Sequence, residues 1–235
     1  MKAIILAAGM GTRLHPITIN HPKCLLELNG KTILSHQIKL LNTFNIDKIE
    51  IITGYMSEKI ESHVKDTASY FFYKDFNKTN NLYTLSNHLD LLDGELLILF
   101  SDVLISPSNL KKLIESNYDF SFLVDTEKCD ESTMRVLINK NKILDIGSHI
   151  SAHQGHGNFI GIAKLSKVGS RLLKDKIKFL TSSNNYINDY YTKAVAELAK
   201  EGQEINFVST LGLPWIEIDT YDEYQKAKKE KFYVI

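Results

Sequence analysis

The chain has 235 residues, 28 Lys+Arg against 28 Asp+Glu, and a hydrophobic share of 43%. At roughly 100–200 residues per domain this is one large domain, or one with a small appended lobe, able to bury a core without disulfide staples. The balanced charge excludes a dedicated nucleic-acid binder, and the composition excludes disordered, collagenous and coiled-coil classes. Two cysteines, Cys24 and Cys129, make neither a disulfide framework nor a four-ligand zinc site, so a cytoplasmic location is expected. No apolar run approaches about 18 residues, and Met1–Ala8 runs straight into Gly9-Met10-Gly11, so no membrane insertion and no signal-peptide core are expected.

Ala3–Ala8 reads as a strand buried on both faces, ended by Gly9, with a loop rich in Gly, Thr, Pro and Asn running to about Asn29. Ile33, Leu34, Ile38, Leu41 and Phe44 fall at helical spacing, which predicts a helix over Thr32–Asn45. Ile49–Ile52 is a second strand, Ser57 opens a short helix, and Tyr70–Tyr73 is a third strand. Leu82, Leu85, Leu89 and Leu92 mark the next helix, capped by Asn80 or Asn81. Glu95–Phe100 is again a buried strand, and Ser106-Pro107 is a cap and first turn for a helix bearing Leu110, Leu113 and Ile114.

This strand–helix alternation implies a parallel sheet flanked by helices. After Tyr118 the rhythm changes to strands at Phe120–Val124, Met134–Ile138, Lys142–Ile146 and Asn158–Ala163, with Asn139–Asn141 as a tight turn. Helices are predicted at about Lys167–Leu180 and Ile187–Glu201, strands at Ile205–Ser209 and Trp215–Ile218, and a capping box at Thr220-Tyr221-Asp222-Glu223. The expected fold is α/β, a Rossmann-like three-layer sandwich with a mostly parallel mixed sheet and a small second lobe. Residues 1–235 are read as one domain with two halves, 1–117 and 118–235.

Chemistry concentrates first in Leu6, Ala7, Ala8, Gly9, Met10, Gly11 and Thr12, followed by Arg13. A glycine loop directly after a buried strand lets backbone N–H groups approach phosphate oxygens. A dinucleotide fingerprint would need glycine where Leu14 stands, and an acid closing the second strand where Thr53-Gly54 stands. A P-loop around Gly30-Lys31-Thr32 would need glycine at Leu25. Arg13 and Lys23 instead put two cations beside the loop, which suits a polyphosphate whose charge must be neutralised before a nucleophile approaches.

The run Leu6-Ala-Ala-Gly-Met-Gly-Thr-Arg-Leu-His-Pro-Ile-Thr18, followed by Asn20-His-Pro-Lys-Cys-Leu-Leu-Glu-Leu-Asn-Gly-Lys-Thr-Ile-Leu34, closely resembles the N-terminal signature of the nucleotidyltransferases acting on sugar phosphates and small phospho-compounds. The resemblance implies that the loop wraps a nucleoside triphosphate, that Arg13 stabilises the leaving pyrophosphate and that Lys23 sits near the α-phosphate. Asp102 and Asp219 each stand at a strand end, where hard oxygen ligands suit Mg²⁺. Their places resemble the family's paired magnesium aspartates.

Asn80, Asn81 and Thr84 open a helix whose free N–H groups and side-chain amides suit a ribose, a phosphate or a base edge. The segment Asn80-Asn81-Leu82-Tyr83 resembles the asparagine-then-aromatic motif of the phosphocholine and 2-aminoethylphosphonate cytidylyltransferases. Leu6-Ala7-Ala8-Gly9, Lys31-Thr32 and Phe100-Ser101-Asp102 depart from the sugar branches in the same direction.

The acceptor side is less marked. Gly147-Ser148 stands where many sugar enzymes carry a phosphate-binding lysine, for which Lys128, Arg135 or Lys142 could substitute. His149, His153 and His156 share a glycine-containing loop, read as solvated, as a lid over an anionic acceptor, or as a metal site. Asp189, Tyr190, Tyr191, Trp215 and Glu217 form an acidic–aromatic set able to meet a cationic head group; family resemblance favours Asp189 and Glu217. The expected activity is Mg²⁺-dependent transfer from CTP to a small phosphorylated or phosphonate acceptor, giving an activated head group for a cell-surface glycan or lipid. A sugar-1-phosphate nucleotidyltransferase using CTP, UTP or dTTP, and a non-catalytic nucleotide sensor, are the alternatives. Homo-oligomerisation stays open.

Overall fold

The computed structural model describes residues 1–235, the side chain of Asn184 excepted. The first half contains β1 (Lys2–Ala7), β2 (Glu27–Leu28), β3 (Lys31–Thr32), α1 (Ile33–Thr43), β4 (Ile49–Thr53), α2 (Ser57–Val64), β5 (Ser69–Phe72), α3 (Asn81–Ser86), β6 (Leu96–Phe100), β7 (Val103–Ile105) and α4 (Pro107–Glu115). The second half adds β8 (Phe120–Asp125), β9 (Met134–Asn139), β10 (Lys142–Gly147), β11 (Asn158–Leu165), α5 (Lys167–Thr181), α6 (Thr192–Lys200), β12 (Asn206–Ser209), β13 (Trp215–Glu217) and α7 (Tyr221–Ala227).

Nine strands form one sheet in the order β5-β4-β1-β6-β11-β8-β12-β10-β9. The strands read as continuous apolar runs, β1, β4 and β8 among them, are buried at every position, because the sheet is covered on both faces. Two apolar clusters do this. Ile4, Leu96, Phe122 and Leu173 belong to one and Ile5, Leu97, Leu41 and Leu110 to the other.

The sheet carries four parallel pairings and five antiparallel ones, which corrects the expected mostly parallel sheet. Strands β5, β4, β1 and β6 are mutually parallel, each separated from the next in sequence by helical crossovers. From β8 to β11 the connections carry no helix. The two residues between β9 and β10 can join only antiparallel neighbours.

β11 bends in its middle. Gly161 adopts φ +78°, and an added Cβ there would lie 2.8 Å from the Phe100 ring. The register slips between Phe159 and Ala163, so residues 162–165 pair with β6 while Asn158 and Phe159 reach across to β9.

Three predicted elements differ. The helix expected over Ile187–Glu201 begins only at Thr192, because the preceding backbone is spent on α3: Ile187 O accepts Asn80 N–H at 2.7 Å and Asp189 O accepts Leu82 N–H at 3.2 Å. The leucine helix from Leu82 to Leu92 breaks after Ser86 into α3 and a short 3₁₀ turn. There Asn87 Nδ2 donates to Tyr83 O and the His88 ring bonds Thr84 O, competing with the next helical N–H groups. β13 does not join the main sheet; it pairs with β7, a strand the sequence reading missed. The capping box of α7 is present as predicted, with Glu223 Oε2 accepting the N–H groups of Thr220 and Asp219, both at 2.8 Å.

Candidate active site

A cavity of about 580 Å³ opens beside the C-terminal ends of β1 and β6. Parallel strands place ligands there because the loops leaving them diverge and their last residues point into the crevice. The predicted Leu6–Thr12 loop lines it, together with Arg13, Lys23, Asn80, Asn81, Thr84, Asp102, Asp219 and Glu217.

The glycine loop is held from behind. Ala8 O accepts Tyr55 N–H at 3.1 Å, and an added Cβ at Gly54 would lie 2.7 Å from that same carbonyl oxygen. Gly11 sits at φ +62°, and an added Cβ would meet Lys23 Cβ at 3.0 Å. A Cβ at Gly9, by contrast, would find no atom within 4 Å. The first glycine therefore keeps space open; the second permits a left-handed turn and the close passage of Lys23.

Lys23 Nζ lies 2.5 Å from Asp102 Oδ2 and 2.5 Å from Asp219 Oδ1, while Arg13 Nη2 lies 2.8 Å from Asp219 Oδ2. Burial alone would lower the Lys23 pKa, but the two carboxylates outweigh it and hold the ammonium above its ordinary value. The backbone aims both acids, with Ile218 N–H donating to Asp102 O at 3.0 Å. Gln37, reaching from α1, donates to Phe100 O at 2.8 Å and Val103 O at 2.7 Å and so pins the turn bearing Asp102. Nothing local in the sequence marks Gln37 for this task.

Asp102 Oδ1 is buried without a hydrogen-bond partner among the described residues. A hard divalent cation fits such an orphaned carboxylate oxygen, with Asp219 as second ligand and substrate phosphates supplying further oxygens. Among the described residues no cluster of three or more His, Cys, Asp or Glu is arranged as a self-sufficient metal site. Glu217 faces the same acids: burial, then Asp102 and Asp219, push its carboxyl up to about 8. Cys24, next to Lys23, is buried and its thiol is pushed up to about 12 by burial.

Asn80 caps α3 through Oδ1, which accepts Asn81 N–H at 2.8 Å, and Asn81 Oδ1 accepts Tyr191 N–H at 2.7 Å. Both asparagines line the cavity while also tying α3 to the segment before α6.

Three of the acceptor residues expected from the sequence are not brought to the cavity. Tyr191 is fully buried in the core, Trp215 is turned to donate from Nε1 to Asp125 Oδ2 at 2.8 Å, and Asp189 stands outside the lining, its carbonyl accepting Leu82 N–H. Only Glu217 and Tyr190 of that set line it. Of the substitute cations, Lys142 is ion-paired with Glu204, and Arg135 lines the cavity with its guanidinium bonded to backbone carbonyls. His149 Nε2 lies 3.0 Å from Asp145 Oδ2, and His156 Nδ1 accepts Ile138 N–H at 3.2 Å. The strip Glu131–Met134, with Phe76, Phe100 and Ser148, completes the lining. Those residues come from four separate segments, and no spacing in the sequence connects them.

Comparison with known proteins agrees with this geometry. The family profile described as Nucleotidyl transferase matches residues 2–119. The CTP:phosphoglutamine cytidylyltransferase of Campylobacter jejuni is 26% identical, covering 93% of this chain and 96% of the relative. The choline-phosphate cytidylyltransferase of Streptococcus pneumoniae is 28% identical over 97% of both chains. Among solved structures, the CTP:phosphocholine cytidylyltransferase from Streptococcus pneumoniae superposes with a TM-score of 0.81, 23% identity and 97% of each chain covered. The inositol-1-phosphate CTP transferase from T. maritima gives 0.79 at 19% identity, covering 97% of this chain and 94% of that one.

Proposed function

The chain belongs to the nucleotidyl transferase family, and from that premise we propose that it is a Mg²⁺-dependent cytidylyltransferase joining CTP to a small phosphorylated or phosphonate acceptor. The observation that carries this reading is the Lys23–Asp102–Asp219 cluster at the open end of the Leu6–Thr12 loop. Two full-length relatives named as cytidylyltransferases support the choice of nucleotide.

In this reading an acceptor phosphate oxygen attacks the α-phosphorus of CTP. A new P–O bond forms, the bond to the bridging oxygen of the β-phosphate breaks, and pyrophosphate leaves with that electron pair. No general base is needed, because a phosphate or phosphonate acceptor is already ionised at neutral pH. Catalysis is then positioning and charge neutralisation. Loop N–H groups and Arg13 hold the β- and γ-phosphates, Lys23 meets charge building on the α-phosphate, and Asn80, Asn81 and Thr84 bind the nucleoside. Mg²⁺, held by Asp102 and Asp219, supplies further neutralisation of the phosphates.

Residues 1–117 serve the nucleotide and 118–235 the acceptor, whose non-phosphate end meets Glu217 and Tyr190. The product is an activated head group for a cell-surface glycan or lipid, made in the cytoplasm.

The test is pyrophosphate release with Mg²⁺ and CTP, UTP or dTTP against a panel of phosphocholine, aminoethylphosphonate, phosphoglutamine, inositol 1-phosphate and glucose 1-phosphate. Turnover confined to CTP with one of the first four supports the proposal. Turnover confined to UTP or dTTP with glucose 1-phosphate replaces it with the sugar-phosphate reading. Nucleotide binding without any turnover makes the chain a sensor.

A further inference from the structure

Arg135, the second residue of β9, is 3% exposed although it borders the cavity. Its Nε donates to Ile150 O at 2.6 Å, and its Nη1 donates to Thr133 O at 2.7 Å and Glu131 O at 3.0 Å. Its Nη2 donates to Ser148 O and lies 3.1 Å from Glu131 Oε2. Guanidinium has five N–H donors in a fixed plane, and here every one has a partner. The same Glu131 carboxylate accepts Ala152 N–H at 2.8 Å through Oε1. Gly155 closes over the aliphatic stem, where an added Cβ would meet Arg135 Cγ at 3.1 Å.

These contacts tie together two segments that run on beyond the last β9–β10 pair, Gly147 opposite Arg135. Residues 131–133 precede β9, and 148–155 follow β10. Glu131, Ser132 and Thr133 from the first segment and Ser148 from the second line the cavity. A free loop carbonyl this close to a ligand site would gain nothing by holding one position. Four carbonyls on one planar cation have a single arrangement that satisfies them all.

We propose that Arg135 is a positioning residue, a clasp whose guanidinium sets the two loops that form the acceptor-binding wall, and that it does not itself bind the acceptor phosphate. The proposal rests on the transferase reading only for the word acceptor; the clasp itself is a statement about loops. Charge and shape can be separated here, because lysine keeps the charge and cannot span four carbonyls.

The experiment compares Arg135→Lys, Arg135→Met and Glu131→Gln with the parent chain by steady-state kinetics and by amide hydrogen exchange. For a clasp, Arg135→Lys raises the acceptor KM by about 10²-fold, the scale of an ångström-sized misplacement, as does Arg135→Met. The KM for CTP stays within about two-fold, and exchange quickens in 131–133 and 148–155 but not in β1 or α1. Glu131→Gln alters a side chain that is 66% exposed, so it keeps the fold even if the Arg135 variants do not. It moves the same readouts in the same direction, about 3–10-fold, which is about 0.7–1.4 kcal/mol. Parent-like acceptor KM in Arg135→Lys with loss in Arg135→Met means the charge binds the acceptor, which overturns the clasp. Unchanged loop exchange in every variant overturns it as well. Exchange needs no substrate, so it judges the clasp even where no turnover with CTP is found.

Discussion

Lys23 and Asp219 stand 196 residues apart in the chain, and their Nζ and Oδ1 atoms are 2.5 Å apart in the fold. The same ammonium also reaches Asp102, and Arg13 holds the other oxygen of Asp219. Two cations thus neutralise two acids, with three of the four carboxylate oxygens engaged. On the proposed function, a polyphosphate entering beside the glycine loop would offer both cations a stronger partner and release the aspartates.

Metal and nucleotide are therefore expected to bind cooperatively. Mn²⁺, followed by its electron paramagnetic resonance signal, should bind the protein alone weakly and tighten at least about 5-fold with CTP present. Lys23→Met should bind Mn²⁺ more tightly than the parent chain when CTP is absent and lose most of that coupling. Equal Mn²⁺ affinity with and without CTP in the parent chain would contradict the exchange of partners. In turnover, Asp102→Asn, Asp219→Asn and Lys23→Ala should each lose about 10²–10³-fold, as for removal of a preorganised charge-stabilising group.

The two glycines of the loop predict opposite outcomes. Gly9→Ala meets nothing within 4 Å, so the melting temperature should stay close to the parent value while the added methyl intrudes on the cavity and raises the KM for CTP. Gly11→Ala combines a left-handed backbone with a 3.0 Å approach to Lys23 Cβ. It should lose stability by about 1 kcal/mol or more as well as activity. A Gly9→Ala variant with unaltered CTP affinity would mean that the phosphates do not lie against this loop.

Glu217 gives the stability a distinctive pH dependence. Its carboxyl is pushed up to about 8 in the fold from an ordinary value of 4.5, by burial and by Asp102 and Asp219 against the relief from Lys23. Between those values the folded state holds a proton that the unfolded chain has released, so this group's contribution to stability declines as pH rises from about 4.5 to 8. Glu217→Gln should remove the decline. Its melting temperature should exceed the parent's at pH 8 by more than at pH 5, at about 2–4 °C for each kcal/mol relieved. Parallel melting curves across that range would show that Glu217 ionises normally.

Asn81 separates a binding role from a structural one. Its Oδ1 receives the N–H of the buried Tyr191, so Asn81→Ala leaves a buried donor without a partner and should cost about 1–3 kcal/mol in chemical unfolding. Asn80→Ala removes the α3 cap and an exposed 3.3 Å bond from its Nδ2 to Asn188 O, at about 1 kcal/mol. Equal, small effects would shift the weight of both residues to nucleotide contact.

Much of the site was legible where it is local. The glycine loop with Arg13 and Lys23, and the capping box beside Asp219, are contiguous motifs that can be picked out by residue type and spacing, although the partners of Arg13 and Lys23 lie far along the chain. The acceptor side was not legible in that way. Tyr191 and Trp215 have the composition of a cation-binding pair, yet one fills the core and the other is turned to Asp125. Aromatic residues satisfy both uses equally well in a sequence, and the choice between them depends on which neighbours the fold supplies.

By itself the sequence determined the alternation of β1, β4, β5 and β6 with helical crossovers, the burial of β1, β4 and β6, and the chemistry gathered at the ends of β1 and β6. Periodicity and turn chemistry act over a few residues, so they can be read without a fold. Only the tertiary structure decided that the sheet becomes mixed beyond β6, with β11 antiparallel to β6 and β12 parallel to β8, that Gln37 holds the turn of Asp102 and that Arg135 is spent on loop carbonyls and Glu131. Those outcomes depend on partners tens of residues away, chosen by packing and by the need to satisfy every buried polar group at once.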